Sequence, residues 1–168
     1  MENCVKSALI VLACLLTQRL AAQIVHLPEP GDTTRVQFDA ARDADTDIQN
    51  AIRLARRSGK NILLDVGGEW CSWCRKLDRF FLQNRDVGEF MHKNYVVVKV
   101  NYSKENKNER TLSRFPAVKG YPHFFVLDQD GKLLHSQDTG ALESGDHHDR
   151  EKVFGFLKEW APKDSTSR

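Results

Sequence analysis

Residues 61–75 read NILLDVGGEWCSWCR, and this stretch decides how the rest of the chain is interpreted. It begins with a short apolar run, residues 61–66, of the kind that forms a buried strand, interrupted by the carboxylate of Asp65. Two glycines end the run, and a helix is predicted to begin near Cys71 and to continue past Leu82. A Cys-x-x-Cys pair therefore stands where a strand gives way to a helix.

The position of each cysteine predicts a different chemical task. Cys71 at a helix N-terminus would meet unpaired backbone N–H groups and the positive end of the helix dipole, which stabilise a thiolate, so it is the predicted nucleophile. Cys74 follows one turn later, is expected to be more buried, and can attack a mixed disulfide formed at Cys71. Burial should raise the pKa of Asp65, which could then take the proton of Cys74, although Asp65 could equally be a satisfied polar group of the core.

Helix and strand patterns alternate on both sides of the motif. Strands are predicted at 61–66, 95–101, 123–127 and 132–136, with a possible short first strand at 36–38, and helices at 45–58, 71–82, 86–92, 104–114 and 149–160. This order predicts an α/β domain whose central mixed β-sheet is flanked by helices in three layers. The domain is expected over residues 45–162, after an N-terminal arm at 23–44 and before a polar tail at 163–168.

The composition excludes some classes of protein. The chain has 168 residues and a net charge of +2, from 25 Lys+Arg and 23 Asp+Glu. This length suits one domain with a real core, and the balanced charge argues against a strongly basic nucleic-acid binder, so no nucleic-acid partner is expected.

The first residues resemble a targeting signal. The apolar run ALIVLACLL at residues 8–16 follows Lys6 and precedes small residues, which predicts a secretory signal peptide ending at Ala22. A buried N-terminal helix is the alternative, and the run is too short to span a bilayer. Residues 11–14 also resemble a lipoprotein box, which would anchor the protein at Cys14. The protein is therefore expected to be periplasmic or secreted.

A Cys-x-x-Cys pair has two other interpretations, half of a zinc site and a purely structural disulfide. Zinc needs two further ligands, but no second cysteine pair follows residue 22, and His135 and the pair His147-His148 lack the usual ligand spacing. No metal and no cofactor other than the redox-active disulfide is therefore expected. The two histidines at 147–148 are interpreted as solvated surface.

Three features in order resemble the thioredoxin superfamily: Asp65, the run Glu69 to Arg75, and Gly120-Tyr121-Pro122. The resemblance covers roughly Asp45 to Trp160 and implies a thioredoxin fold. It also implies that Pro122 is preceded by a cis peptide bond and faces the sulfurs of the active site.

Two single residues extend the resemblance. Lys99 matches a lysine that lies beside the buried aspartate of the family, and Gly140 matches a glycine on its substrate-binding rim. His123, after the family's proline, could favour a thiolate through its charge, or could be a partly exposed residue at the start of a strand.

The dipeptide between the cysteines, Ser72-Trp73, departs from cytosolic thioredoxins and is similar to secreted thioredoxin-like proteins with Trp-Cys-x-Trp-Cys. The dipeptide tunes the reduction potential, so the direction of electron flow stays open. Trp70, Trp73 and Tyr121, with Pro122 and Gly140, are expected to form a rim that binds an extended peptide mainly through its backbone.

These observations predict an extracytoplasmic thiol–disulfide oxidoreductase, monomeric, that reduces or isomerises protein disulfides. Cys71 and Cys74 would exchange disulfides while Asp65 and Lys99 manage the proton, and a membrane thiol–disulfide protein would supply electrons. The alternatives are a dithiol oxidase that forms disulfides in secreted proteins and a non-catalytic binding module with a structural disulfide.

Overall fold

The computed structural model describes residues 37–163. The predicted signal peptide at 1–22, the lipoprotein cysteine Cys14, most of the N-terminal arm and nearly all of the polar tail lie outside the described residues.

Four strands form one mixed sheet. They are β1 (Asn61–Gly67), β2 (Tyr95–Asn101), β3 (His123–Leu127) and β4 (Leu133–Asp138). Their order across the sheet is β2-β1-β3-β4, with β1 parallel to β2 and the other two pairs antiparallel. The predicted mixed sheet with an antiparallel hairpin at one edge is confirmed.

The helices and short elements follow the predicted order closely. The helices are α1 (Ala44–Ser58), α2 (Ser72–Gln83), α3 (Arg85–Asn94), the single turn α4 (Glu109–Leu112) and α5 (Arg150–Glu159). A 3₁₀ turn at Thr139–Leu142 and a small antiparallel pair, β5 (Glu143–Ser144) and β6 (His147–His148), connect β4 to α5.

Helix α1 shows why the sequence pattern predicted it well. The Asp43 side chain accepts a hydrogen bond from the Thr46 backbone N–H at the start, and Gly59 ends the helix at φ 69°, a left-handed conformation that favours glycine. Between these ends, one face is buried against the sheet and carries Ile48, Ala51 and Ala55.

The two faces of the sheet bury different side chains, because neighbouring residues of a strand point to opposite sides. Leu63 of β1 packs with apolar residues of α2, α3 and α5 on one face. Ile62 and Leu64 pack with α1 on the other. The three-layer arrangement is confirmed.

Two predicted elements differ from the structure. The short strand at 36–38 does not form at Gln37 and Phe38, the two of its residues that are described. The backbone N–H of Phe38 donates instead to the Glu69 carboxylate, at 2.9 Å, and the ring is buried.

The predicted helix at 104–114 shrinks to α4. Asn108 has a positive φ of 46°, which no helix interior accepts, and Asn106 donates its side-chain N–H to the backbone carbonyls of Ala40 and Arg42. Asparagine side chains that bond backbone groups compete with helix formation in this way.

Within residues 37–163, no helix is both long enough and apolar enough to span a membrane.

Candidate active site

The two cysteines form a disulfide at the start of α2. Cys71 is the N-cap residue, with extended backbone, and its Sγ accepts a hydrogen bond from the Cys74 backbone N–H at 3.0 Å. The Cα atoms of Cys71 and Cys74 are 5.2 Å apart. Cys71 is 4% exposed and Cys74 is fully buried, which matches the predicted order of accessibility.

Gly67, the last residue of β1, makes room for the inner sulfur. A Cβ atom at this position would lie 2.5 Å from Cys74 Sγ and 3.0 Å from Phe38 Cζ. A side chain at residue 67 is therefore excluded by the disulfide itself, and the sulfur of Cys74 lies directly against the strand backbone.

Asp65 and Lys99 lie opposite each other in the parallel pairing of β1 with β2. Lys99 Nζ donates to Asp65 Oδ2 at 2.6 Å, and both side chains are almost completely buried. Asp65 Oδ1 is buried and accepts no hydrogen bond from the described part of the chain. Burial raises the pKa of Asp65, and the charge of Lys99 only partly opposes this.

A second carboxylate, Asp78, completes this cluster and was not predicted. Lys99 Nζ also donates to Asp78 Oδ1, at 2.5 Å. Burial lowers the pKa of Lys99, but attraction to Asp65 and Asp78 outweighs it, so the pKa is raised overall and the lysine is charged. The spacing in the sequence could have indicated Asp78, because it follows Cys74 by four residues and so lies on the same face of the helix.

Trp70 and Tyr121 lie together on one side of the disulfide. Trp70 is 57% exposed, its Nε1 donates to the Tyr102 backbone carbonyl at 2.7 Å, and its ring meets Tyr121 edge-on at 5.6 Å. Tyr102 stacks on Tyr121 at 5.0 Å. Burial, followed by the proximity of Tyr102, raises the pKa of Tyr121 to about 12, so its hydroxyl is neutral.

Trp73 points to different neighbours from Trp70. Its half-buried ring meets His148 edge-on at 5.5 Å, and Lys76 Nζ lies 4.2 Å from the ring centre. The surface assignment was correct for His147 and wrong for His148, which is buried because it packs between Trp73 and Phe80.

Pro122 and Gly140 are joined through their neighbours. The Tyr121–Pro122 peptide bond is cis, and Thr139 Oγ1 donates to the Pro122 carbonyl. Gly140, next to Thr139, is exposed, and its N–H donates to Asp138 Oδ1 at 2.9 Å. The structure therefore places the 3₁₀ turn beside the proline.

His123 is neither partly exposed nor charged. It lies on the opposite face of the sheet from Asp65, is buried against Phe125, and its Nε2 is 2.9 Å from Ser136 Oγ. Burial lowers its pKa, so it supplies no positive charge to the cysteines. Across residues 37–163, no group of three or more His, Cys, Asp or Glu side chains is arranged to hold a metal ion.

Comparisons with known proteins found relatives in sequence and in fold. A profile described as thioredoxin-like matches residues 43–129, a stretch that contains both cysteines, Asp65, Lys99 and Pro122. Over 130 residues the chain is 24% identical to the disulfide bond reductase DsbH of Chlamydia pneumoniae, covering 72% of this chain and 74% of that protein.

Two further relatives are informative. The chain is 27% identical over 93 residues to the thiol:disulfide interchange protein DsbD of Actinobacillus pleuropneumoniae, which covers 55% of this chain but only 16% of that protein. A crystal structure of a disulphide isomerase from Xylella fastidiosa superposes with a TM-score of 0.65 at 25% identity, covering 74% of this chain and 96% of the other. The thioredoxin fold is thereby confirmed, and since the family profile matches more than half of the chain, the protein belongs to the thioredoxin-like family.

Proposed function

We propose that the protein is an extracytoplasmic thiol–disulfide oxidoreductase that reduces or isomerises protein disulfides. The observation that carries this proposal is the position of the Cys71–Cys74 disulfide, at the first turn of α2 and against the end of the strand that carries the buried, ion-paired Asp65. A structural disulfide needs neither the helix N-terminus nor the carboxylate, whereas disulfide exchange uses both.

The first step consumes the dithiol form. The Cys71 thiolate attacks one sulfur of a substrate disulfide, a bond forms between the two sulfurs, and the other substrate sulfur leaves as a thiolate that takes a proton from water. The helix N-terminus stabilises the Cys71 thiolate before the attack, and the Cys74 backbone N–H in the first turn of α2 donates to Cys71 Sγ.

The second step releases the reduced substrate. Cys74 gives its proton to Asp65 and attacks Cys71 Sγ, the Cys71–Cys74 bond forms, and the remaining substrate sulfur leaves as a thiolate. Two electrons have then passed from the protein to the substrate. Lys99 holds Asp65 in place, while the raised pKa of Asp65 makes that carboxylate a better proton acceptor than an exposed one.

The oxidised protein needs an electron donor, because an oxidising compartment does not regenerate the dithiol by itself. A membrane thiol–disulfide transporter is the donor that this proposal includes. The predicted signal peptide at 1–22 and the names of two relatives, a disulfide bond reductase and a thiol:disulfide interchange protein, support an extracytoplasmic place for the reaction.

The substrate would approach over the exposed ring of Trp70. Tyr121 lies beside it and precedes Pro122, whose carbonyl accepts a hydrogen bond from Thr139 next to Gly140, and Trp73 packs against the disulfide. An extended peptide that binds mainly through its own backbone fits such a rim and permits many partners.

The reduction potential of the Cys71–Cys74 pair tests the proposal. The protein is equilibrated in dithiothreitol or glutathione buffers, and tryptophan fluorescence reports the redox state, because Trp73 packs with the disulfide. We expect a value near that of thioredoxin, about −270 mV. A value near −120 mV would indicate a disulfide donor, and a pair that resists strong dithiothreitol would indicate a structural bridge.

A trapping experiment on the same protein identifies the two sulfurs by role. Cys74→Ser leaves the nucleophile without a resolving thiol, so it should accumulate mixed disulfides with substrate proteins, visible on non-reducing gels. Cys71→Ser is the matched control and should accumulate none. If neither variant traps a substrate that the wild-type protein reduces, the assignment of nucleophile and resolving thiol is wrong.

A further inference from the structure

Phe38 packs onto the disulfide from a distant part of the sequence. Its ring is 4% exposed and forms one buried cluster with Cys71 and Cys74, at whose edge Trp73 and Tyr121 lie. No sequence pattern around residue 38 indicated a place in the site. The contact is therefore a product of the fold.

The missing side chain of Gly67 shows how close the ring comes to the inner sulfur. A Cβ atom on Gly67 would touch both Cys74 Sγ, at 2.5 Å, and Phe38 Cζ, at 3.0 Å. Phe38 Cζ and Cys74 Sγ therefore both lie beside Gly67, and Phe38 occupies space that a side chain at residue 67 would otherwise fill.

The same ring also covers the ion pair. Lys99 Nζ lies 4.4 Å from the centre of the Phe38 ring, a distance at which an ammonium group is attracted to an aromatic face. The Lys99 side chain is only 9% exposed and that of Asp65 is 6% exposed. One apolar ring therefore contacts both the thiol that resolves the mixed disulfide and the cation that holds its proton acceptor.

The backbone around Phe38 is held in place by the motif and by the loop after β2. The Phe38 N–H donates to Glu69 Oε1 at 2.9 Å, and Glu69 precedes Cys71 by two residues. Asn106 donates to the carbonyls of Ala40, at 2.9 Å, and Arg42, at 3.1 Å. These bonds fix the ring's position independently of its own packing.

We propose that Phe38 is a positioning residue for the resolving step, whose ring keeps water away from Cys74 Sγ and from the Asp65–Lys99 pair. The proton of Cys74 then passes to Asp65 and not to bulk water. This role rests on the proposed function, but the shielding itself is measurable without turnover.

The test measures the reactivity of the Cys74 thiol in the full chain carrying Cys71→Ser, which keeps a hydrogen-bond acceptor at the helix N-cap. Iodoacetamide labelling is followed over a range of pH by mass spectrometry of the tryptic peptide 61–75, which excludes the other cysteines. A graded series places Leu, Val or Ala at position 38.

We expect Phe38→Ala to speed labelling at least about tenfold and to lower the midpoint pH, because a buried thiol is inert until water and reagent reach it. The labelling rate of Phe38→Val should fall between those of Phe38→Leu and Phe38→Ala. The rate of Phe38→Leu should stay within about threefold of the rate with Phe38, since the leucine side chain still covers the sulfur. If Phe38→Ala does not fold, the test rests on the labelling rates of the other three proteins, which should increase in the order Phe, Leu, Val at position 38.

Phe115→Ala is the matched control. Phe115 stacks on Phe125 on the other face of the sheet and is not part of the buried cluster of Phe38, Cys71 and Cys74, so its loss should loosen the core without uncovering Cys74. Equal acceleration by Phe115→Ala and Phe38→Ala would overturn the proposal, because the effect would be general loosening. Unchanged labelling across the series would also overturn it.

Insulin reduction by the same position-38 variants, with both cysteines intact, separates this proposal from the proposed function. A wild-type protein that cannot reduce insulin, together with a graded labelling series, would contradict the reductase and leave the shielding established. If the wild-type protein and the position-38 variants reduce insulin at the same rate, the positioning role is contradicted while the reductase activity is supported.

Discussion

Asp65 is the residue whose environment makes the clearest prediction about pH. Its pKa is raised by burial, so the folded protein keeps this proton to a higher pH than the unfolded chain does. The stability that the protonated carboxyl contributes is complete below about pH 4 and is lost as the pH rises through the folded pKa.

Asp65→Asn should therefore gain stability relative to the wild-type protein as the pH rises. We expect the free energy of unfolding of the variant to rise relative to that of the wild-type protein as the pH increases from about 4 through the folded pKa of Asp65, and the difference then to level off, as measured by urea denaturation. Resolution of the mixed disulfide should slow in the same variant, because an amide cannot accept the proton of Cys74.

Asp130→Asn serves as the control for that measurement. Asp130 is an exposed carboxylate that pairs with Arg56 at the surface, so its replacement should change stability only slightly. A stability difference for Asp65→Asn that stays flat from about pH 3 to pH 8 would contradict the assigned cause.

At the residue scale, sequence reasoning found the groups that lie within recognisable patterns. Cys71 and Cys74 were marked by their spacing and Asp65 by a charge in an apolar run. The structure joins the cysteines in a disulfide and Asp65 to Lys99 in an ion pair, and the Phe38 ring packs against both. Asp78 and Phe38 were missed for different reasons. Asp78 is one of many charges on a helix, and Phe38 reaches the site only through tertiary packing.

At the scale of elements, two glycines predict opposite effects of the same substitution. Gly67→Ala places a methyl group against Cys74 Sγ and Phe38 Cζ, so it should destabilise the protein by about 1–3 kcal/mol through overpacking. Gly155 lies inside α5, is exposed, and has nothing within 4 Å of a built Cβ. Gly155→Ala should therefore stabilise the protein by about 0.5–1 kcal/mol.

Thermal or urea denaturation of the two variants checks this pair. Each serves as the control for the other, because the chemical change is identical and only the surroundings differ. A destabilised Gly155→Ala would show that α5 does not tolerate a methyl group on its exposed face, and a neutral Gly67→Ala would show that the contact with Cys74 relaxes freely.

The helices and strands were predicted correctly where the hydrophobic pattern had a single period, and wrongly where side chains form hydrogen bonds with the backbone. Strands β2 and β3 were predicted with their observed bounds, because each is a run of β-branched or aromatic residues. From the last residue of β2 to the residue before α4, the side chains of Asn101, Asn106 and Asn108 bond backbone carbonyls. A hydrophobic periodicity in the sequence does not indicate such bonds.

For the whole molecule, the direction of electron flow determines whether the oxidised or the reduced form is the more stable to unfolding. A protein whose disulfide is harder to reduce than that of the unfolded chain is more stable in its oxidised form, because folding and reduction close one thermodynamic cycle. If the protein is a reductase, reduction by dithiothreitol should lower its melting temperature, by roughly 2–4 °C for each kcal/mol.

Calorimetry of the oxidised and reduced protein measures this difference. The double variant Cys71→Ser, Cys74→Ser is the control, and its melting temperature should not respond to dithiothreitol. A reduced form that melts at the higher temperature would make the protein a disulfide donor.

The register of β1 against β2 has a consequence for how the sheet assembles. Asp65 faces Lys99 because Leu64 faces Val98 and Val66 faces Val100. A slip of one residue would place the ammonium group opposite an apolar side chain and turn it to the other face of the sheet. A buried charge without its counterion costs several kcal/mol, so mispaired chains are penalised strongly. The groups assigned to proton transfer therefore also disfavour mispaired sheets, and a variant that leaves Lys99 with neither Asp65 nor Asp78 is expected to misfold more often.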